Sequence, residues 1–147
     1  VEPYDGPVAL FRKRVGGGET AYRRKDYVIR LTCVDNPERV FRLPIPGGIG
    51  LMMVHKGLER ALCEPGEEST RHWFEQGSIV WGEEVQAEGF LQDREFRSEM
   101  WTSLGGVLSE PGDTIRYVTQ IGDEVIRLDL CLEGRQEPEL FKAAEKN

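Results

Sequence analysis

The chain is predicted to fold as an α+β domain built on a mostly antiparallel sheet. Along most of its 147 residues, short β-prone runs alternate apolar side chains on the two faces of an extended chain. Turns rich in glycine and proline separate these runs, and one segment alone has a strong helical period. We therefore expect a mixed sheet or half-barrel of about six to eight strands with one main helix at about residues 50–63.

Three strands are predicted before the helix. Residues 8–15 and 21–35 are β-prone and flank three glycines, a pattern typical of a hairpin. A turn is expected at 36–38 and a third strand at 39–45. Proline has no backbone N–H to donate, so the prolines at the end of this third run confine it to a sheet edge or a strand end.

The helix is predicted from the spacing of its apolar residues. They recur every three or four positions, which places them on one stripe: Leu51, Val54, Leu58 and Leu62. Pro65 and Gly66 follow, and both residue types end helices.

The second half of the chain is predicted to be mostly strands. Residues 72–76 and 78–81 are expected to be short strands, and 85–91 is a further strand candidate. Between 93 and 108 the apolar spacing also permits a helix. The clearest hairpin joins residues 114–121 to 125–132.

One domain is expected over residues 1–147, with a basic hairpin arm at 1–26 and a short helix or frayed tail at 135–147. No run approaches the ~18 apolar residues of a membrane span. The first residues lack the basic and apolar regions of a secretion signal. Cys33, Cys63 and Cys131 form an odd set without CxxC spacing, which favours free thiols and a cytoplasmic location.

Charge is divided unevenly along the chain, whose net charge is −7. Residues 1–60 hold 11 Lys/Arg against 7 Asp/Glu, and residues 61–147 hold 8 against 19. An acidic protein of this kind is a poor candidate for a dedicated nucleic-acid binder, which needs a basic face. Contact with nucleic acid through the basic arm, or mimicry of nucleic acid by the acidic part, stays open as an alternative.

The sequence contains no strong catalytic, metal or cofactor motif. His55 and His72 have no HExxH-type spacing, so we expect them to be structural or surface residues and expect neither metal nor cofactor. Glycines 47, 48 and 50 precede the helix but lack the residues of a phosphate loop. Cys63 stands at the carboxyl end of the helix, where the helix dipole raises the pKa of a thiol.

Three stretches resemble the plasmid pRiA4b ORF-3-like family, which occurs on plasmids and in transposon passengers. They are Tyr27–Asp35 with Val40–Pro46, then Leu58–Leu62 with His72–Glu75, and last Leu104–Asp113 leading into Ile115–Leu128. The resemblance implies a mixed half-barrel-like α+β fold and little about activity, and it makes a mobile element one candidate source of the protein. Where the family hairpin has Asp-Phe-Gly-Asp, this chain has Gln120-Ile121-Gly122-Asp123, and the Trp and His that follow are replaced by Val125 or Ile126 and Arg127. Any chemistry done by those family groups is therefore expected to be lost here.

These observations predict a non-catalytic accessory factor that docks on a larger protein. Tryptophan is enriched at interface hot spots, and complementary charge steers docking. The predicted surfaces are the basic hairpin Arg12, Arg14, Arg23 and Arg24 and the acidic-aromatic stretch Trp73, Trp81, Glu83, Glu84 and Trp101.

The rival hypothesis is a small-ligand-binding or hydrolytic domain that uses a concave sheet pocket. Its polar groups would be His72, Glu75 and Asp123, brought within hydrogen-bond reach of one another. Both hypotheses exclude a membrane partner.

Overall fold

The structure is a computed structural model that describes residues 26–90 and 93–136. Within these residues seven strands are present: β1 (Asp26–Cys33), β2 (Asn36–Pro46), β3 (Ser69–Gln76), β4 (Ile79–Gly82), β5 (Glu95–Ser98), β6 (Thr114–Ile121) and β7 (Glu124–Gln136). Helical segments are α1 (Leu51–Leu62), two 3-10 helices at Glu84–Gly89 and Glu99–Trp101, and α2 (Leu104–Val107). In this part of the chain, no helix is long and apolar enough to cross a membrane.

The strands form one mixed sheet in the order β2-β1-β7-β6-β3-β4-β5. Neighbouring strands are antiparallel except β4 and β5, which are parallel. β2 lies at an edge of the sheet, as its prolines predicted, because a proline has no N–H for a second neighbour. The predicted α+β class, strand number and main helix are confirmed.

Helix α1 buries the stripe that its apolar spacing predicted. Leu51, Val54 and Leu58 are all fully buried in the same core cluster as Ile29 of β1 and Phe74 of β3. The burial of these side chains stabilises the helix against the sheet, at about 1.5–3 kcal/mol for each large apolar side chain. Beyond the helix, Gly66 adopts a φ of 89°, which glycine tolerates without strain.

The start of α1 is joined by backbone hydrogen bonds to the segment that follows β5. The Leu51 N–H donates to the Thr102 carbonyl over 2.9 Å, and the Gly105 N–H donates to the Gly47 carbonyl over 2.8 Å. This approach requires glycine, because a Cβ at position 105 would lie 2.9 Å from the Gly47 oxygen. The 3-10 helix Glu99–Trp101 is thereby held beside α1.

The carboxyl-terminal hairpin forms where it was predicted. Ile121 of β6 pairs with Glu124 of β7, and Gly122 in the turn between them has a φ of 61°. β7 continues to Gln136, four residues beyond the predicted end of the strand. The predicted arm at 1–26 and tail at 135–147 otherwise lie outside the described residues.

Two local predictions were wrong, and the structure resolves the segment that the sequence left ambiguous. The strand expected at 85–91 is instead the 3-10 helix Glu84–Gly89, begun by a hydrogen bond from the Gln86 N–H to the Glu83 carbonyl. The helix permitted between 93 and 108 is divided into β5, a 3-10 helix and α2, because pairing of β5 with β4 outweighs the local apolar spacing. The first turn lies at residues 34 and 35, so β2 begins earlier, at Asn36.

Candidate functional site

The two histidines of the chain meet in the structure. His55 lies on α1 and His72 on β3, and their rings stack with centroids 3.4 Å apart and planes 6° from parallel. Both residues are buried, at 4% and 3% exposure. Each occupies a core-facing position: His55 lies one turn from Leu51, and His72 shares a strand face with Phe74. Folding therefore brings together two imidazoles that lie far apart in the sequence.

Glu99 forms a buried pair with His72. Its Oε1 atom is 2.7 Å from His72 Nε2, and the residue is only 1% exposed. Among residues 26–90 and 93–136, the His72 ring is the sole hydrogen-bond partner of this carboxylate. Burial of an ionised carboxylate costs several kcal/mol unless hydrogen bonds or opposite charge compensate it. The pair is therefore an electrostatically demanding feature of the fold.

Besides stacking on His72, the His55 ring lies close to two polar side chains, Tyr117 and Glu59. Its Nδ1 atom lies 2.7 Å from the Tyr117 hydroxyl, and its Nε2 atom lies 3.9 Å from a Glu59 carboxylate oxygen. Burial, His72 and Lys56 lower the pKa of His55 to about 3. Burial also raises the pKa of Tyr117 well above its ordinary value. At neutral pH the His55 ring is consequently uncharged and the Tyr117 hydroxyl keeps its proton.

Both histidines line a polar cleft of about 610 Å³ between α1 and β3. Its walls carry cations and carboxylates, among them Lys56, Arg60 and Glu59. Glu59 also orders the loop after α1, because its Oε2 accepts a hydrogen bond from the Ser69 N–H over 2.8 Å. The size of the cleft fits a small polar molecule.

Glu83 brings a second carboxylate to the His72–Glu99 pair. It follows β4 directly, is exposed, and lines the same cleft. One ligand atom from each of His72, Glu83 and Glu99 can be chosen so that all three lie within 4.8 Å of one another. These are nitrogen and oxygen donors of the kind that bind divalent cations.

The predicted pocket of His72, Glu75 and Asp123 does not form. His72 lies in the cleft, whereas Glu75 is three residues further along β3 and faces the other side of the sheet. There Glu75 accepts hydrogen bonds from Trp73 Nε1 (3.1 Å) and Arg94 (2.6 Å) and lines a smaller cleft of about 280 Å³. Asp123 is exposed in the β6–β7 turn.

The residues of the predicted docking surfaces differ in their exposure to solvent. Trp81 is 2% exposed and belongs to the core, so the prediction that it anchors a partner was wrong. Trp73 is half-buried beneath Arg71, whose guanidinium lies 4.9 Å from the ring, and Trp101 is 81% exposed. Glu83 and Glu84 are exposed as well. Arg12, Arg14, Arg23 and Arg24 lie outside the described residues.

His55, Glu99 and Tyr117 were not predicted to act together with His72. A signal for His55 was present, because it lies four residues after Leu51 on the apolar stripe of the helix. Tyr117 shares a strand face with Ile115, which gives no indication of a polar partner. Glu99 stands in the segment whose secondary structure the sequence left ambiguous.

The comparisons with known proteins support the fold and leave the activity open. No protein-family profile and no curated protein matches the chain. The fold is similar to the crystal structure of MM3350 from Methanosarcina mazei Go1, described as a protein of unknown function. The TM-score is 0.58 with 17% sequence identity, and the match covers 79% of this chain and 64% of that one. At this identity the likeness concerns the fold alone.

Proposed function

We propose that this chain binds a small polar molecule in the cleft and hydrolyses it. The observation that carries the proposal is the buried His72–Glu99 pair, stacked on His55 at a wall of the cleft. A single buried histidine is commonly a structural residue. Two that stack, with a buried carboxylate on one and a tyrosine hydroxyl on the other, resemble the oriented imidazoles of acid–base sites.

The pair supplies what hydrolysis requires. A carboxylate that is hydrogen-bonded to an imidazole fixes the orientation of the ring and stabilises positive charge on it. His72 would accept a proton from a water molecule as the water oxygen bonds to an electrophilic carbon or phosphorus. The bond from that atom to the leaving group would break, and the leaving group would take up the proton held by His72. The neutral His55 and Tyr117 beside the pair hold the His72 ring in place.

The lining of the cleft restricts the ligand to polar molecules. Lys56 and Arg60 can pair with an anionic group, and the carboxylates of Glu59 and Glu83 can accept hydrogen bonds from a hydroxyl or amine. A large apolar ligand would leave these charged groups desolvated without partners.

Hydrolysis of p-nitrophenyl acetate and p-nitrophenyl phosphate tests the proposal. We expect the wild-type chain to hydrolyse at least one of them, and His72→Gln to lower kcat/KM by about 10²-fold or more. Asp123→Asn is the control, because Asp123 is exposed in a turn outside the cleft. Absence of hydrolysis by the wild type, or equal rates for wild type and His72→Gln, would reject the proposal.

A second candidate is docking on a larger protein, and one observation favours it. The segments that carry Glu83 and Glu99 also expose Val85, Met100 and Trp101. Exposed large apolar side chains are typical of interface anchors. We expect Trp101→Ser to abolish capture of such a partner while Asp123→Asn retains it. Equal capture by both variants would exclude this surface.

Membership of the pRiA4b ORF-3-like family, with its link to mobile elements, also remains a proposal. It rests on the sequence stretches described above and on their order along the chain.

A further inference from the structure

We propose that His72, Glu83 and Glu99 bind a divalent transition-metal ion, with Zn²⁺ as the best fit. This inference deepens the proposed hydrolytic function and rests on it, because the ion would activate the water. It makes Glu83, which the hydrolytic proposal treats only as a polar lining residue of the cleft, a ligand of the ion.

The distances between the donor atoms suit such an ion. Zinc binds histidine nitrogen and carboxylate oxygen at about 2.0–2.2 Å, so adjacent ligand atoms in a tetrahedral site lie roughly 3.4 Å apart. The three donor atoms here all lie within 4.8 Å of one another. The His72 Nε2 to Glu99 Oε1 distance of 2.7 Å would open by less than about 1 Å to admit the ion.

Burial of Glu99 gives an independent reason to expect a cation. The residue is almost fully buried, and within the described part of the chain no lysine or arginine forms an ion pair with its carboxylate. The His72 ring is the one hydrogen-bond partner that the described residues offer to this carboxylate. Buried charges in proteins are paired or coordinate metals, and a divalent ion between Glu99 and His72 would place positive charge next to the carboxylate.

The chemistry of the donors selects the kind of ion. One imidazole nitrogen with two carboxylate oxygens favours zinc or a similar first-row divalent ion, whereas magnesium and calcium prefer oxygen donors alone. Three protein ligands leave one position of a tetrahedral ion for water, the arrangement of catalytic zinc. His72 and Glu83 both line the cleft, so that position would be reached by a bound molecule.

Titration of chelator-treated protein with Zn²⁺ and Co²⁺ tests the inference. We expect one ion per chain by calorimetry, and visible Co²⁺ absorption without the thiolate charge-transfer band that a cysteine ligand would add. Glu83→Gln should weaken Zn²⁺ binding by about tenfold or more, whereas Glu84→Gln should leave it unchanged. Both residues are exposed and adjacent, so this control has the same risk to folding.

Each outcome separates the metal site from the hydrolytic function. Loss of binding in Glu83→Gln but not in Glu84→Gln supports the site, even if neither ester is hydrolysed. Weak binding that is equal in wild type and both variants overturns it. Hydrolysis that survives chelation and is lost in His72→Gln would contradict the role of the ion in activating water, while leaving His72 as the group that activates it.

Discussion

Replacing His72 with leucine would test how strongly the fold depends on the buried His72–Glu99 pair. The substitution removes the sole hydrogen-bond partner that the described residues offer to the Glu99 carboxylate, at a position 1% exposed. Removing one member of a buried ionic pair costs about 3–5 kcal/mol, because the remaining group is left desolvated. We expect His72→Leu to lower the free energy of unfolding by that amount at neutral pH.

A double-mutant cycle assigns this loss to the pair. Glu99→Leu should cost about 1–3 kcal/mol, because it leaves the buried imidazole without its hydrogen-bond partner. The double variant His72→Leu/Glu99→Leu removes both polar groups and should regain most of the stability. We therefore expect a coupling free energy of at least about 2 kcal/mol between the two positions.

Urea unfolding followed by tryptophan fluorescence measures all four proteins, with buried Trp81 as a natural reporter. A chelator in every sample keeps any bound metal from contributing. If the single variants stay within about 0.5 kcal/mol of wild type, or if their losses add in the double variant, the pair is not buried and coupled as described.

Two further substitutions have expected outcomes. Gly105→Ala should destabilise the fold by about 1–3 kcal/mol, because its Cβ would meet the Gly47 carbonyl oxygen at 2.9 Å, whereas Gly106→Ala meets nothing closer than 3.5 Å and should be neutral or slightly stabilising in the same urea assay. Burial and three glutamates, including Glu67, raise the pKa of the Cys63 thiol, so its alkylation by iodoacetamide should accelerate only at a higher pH than for an ordinary cysteine. Glu67→Gln should speed alkylation of the folded protein, which is followed by digestion and mass spectrometry of the peptide that contains Cys63. A slower reaction would contradict the assigned cause.

The regular elements could be predicted because their signals are local. The apolar stripe from Leu51 to Leu62 gave α1 nearly to the residue, and the alternation on both sides of Gly122 gave the β6–β7 hairpin. Short segments were less predictable. The backbone of residues 93–108 is determined by pairing of β5 with β4 and by contact with the start of α1, which no local pattern encodes.

The candidate site could not be predicted for the same reason. His55, His72 and Glu99 come from a helix, a strand and a 3-10 helix that are distant in sequence, and no fixed spacing relates them. Histidine on an apolar face is also compatible with an ordinary core position. The register of β3 against β6, and the packing of α1 on that face, decide that the two rings stack.

A two-dimensional NOE spectrum of the chelator-treated chain tests most directly whether the two imidazoles share one buried site. The sequence has only two histidines, so their ring protons can be assigned without ambiguity. Rings with centroids 3.4 Å apart should give strong cross-peaks between His55 and His72. Spectra in which each ring shows cross-peaks to its own neighbours and none to the other ring would contradict the site.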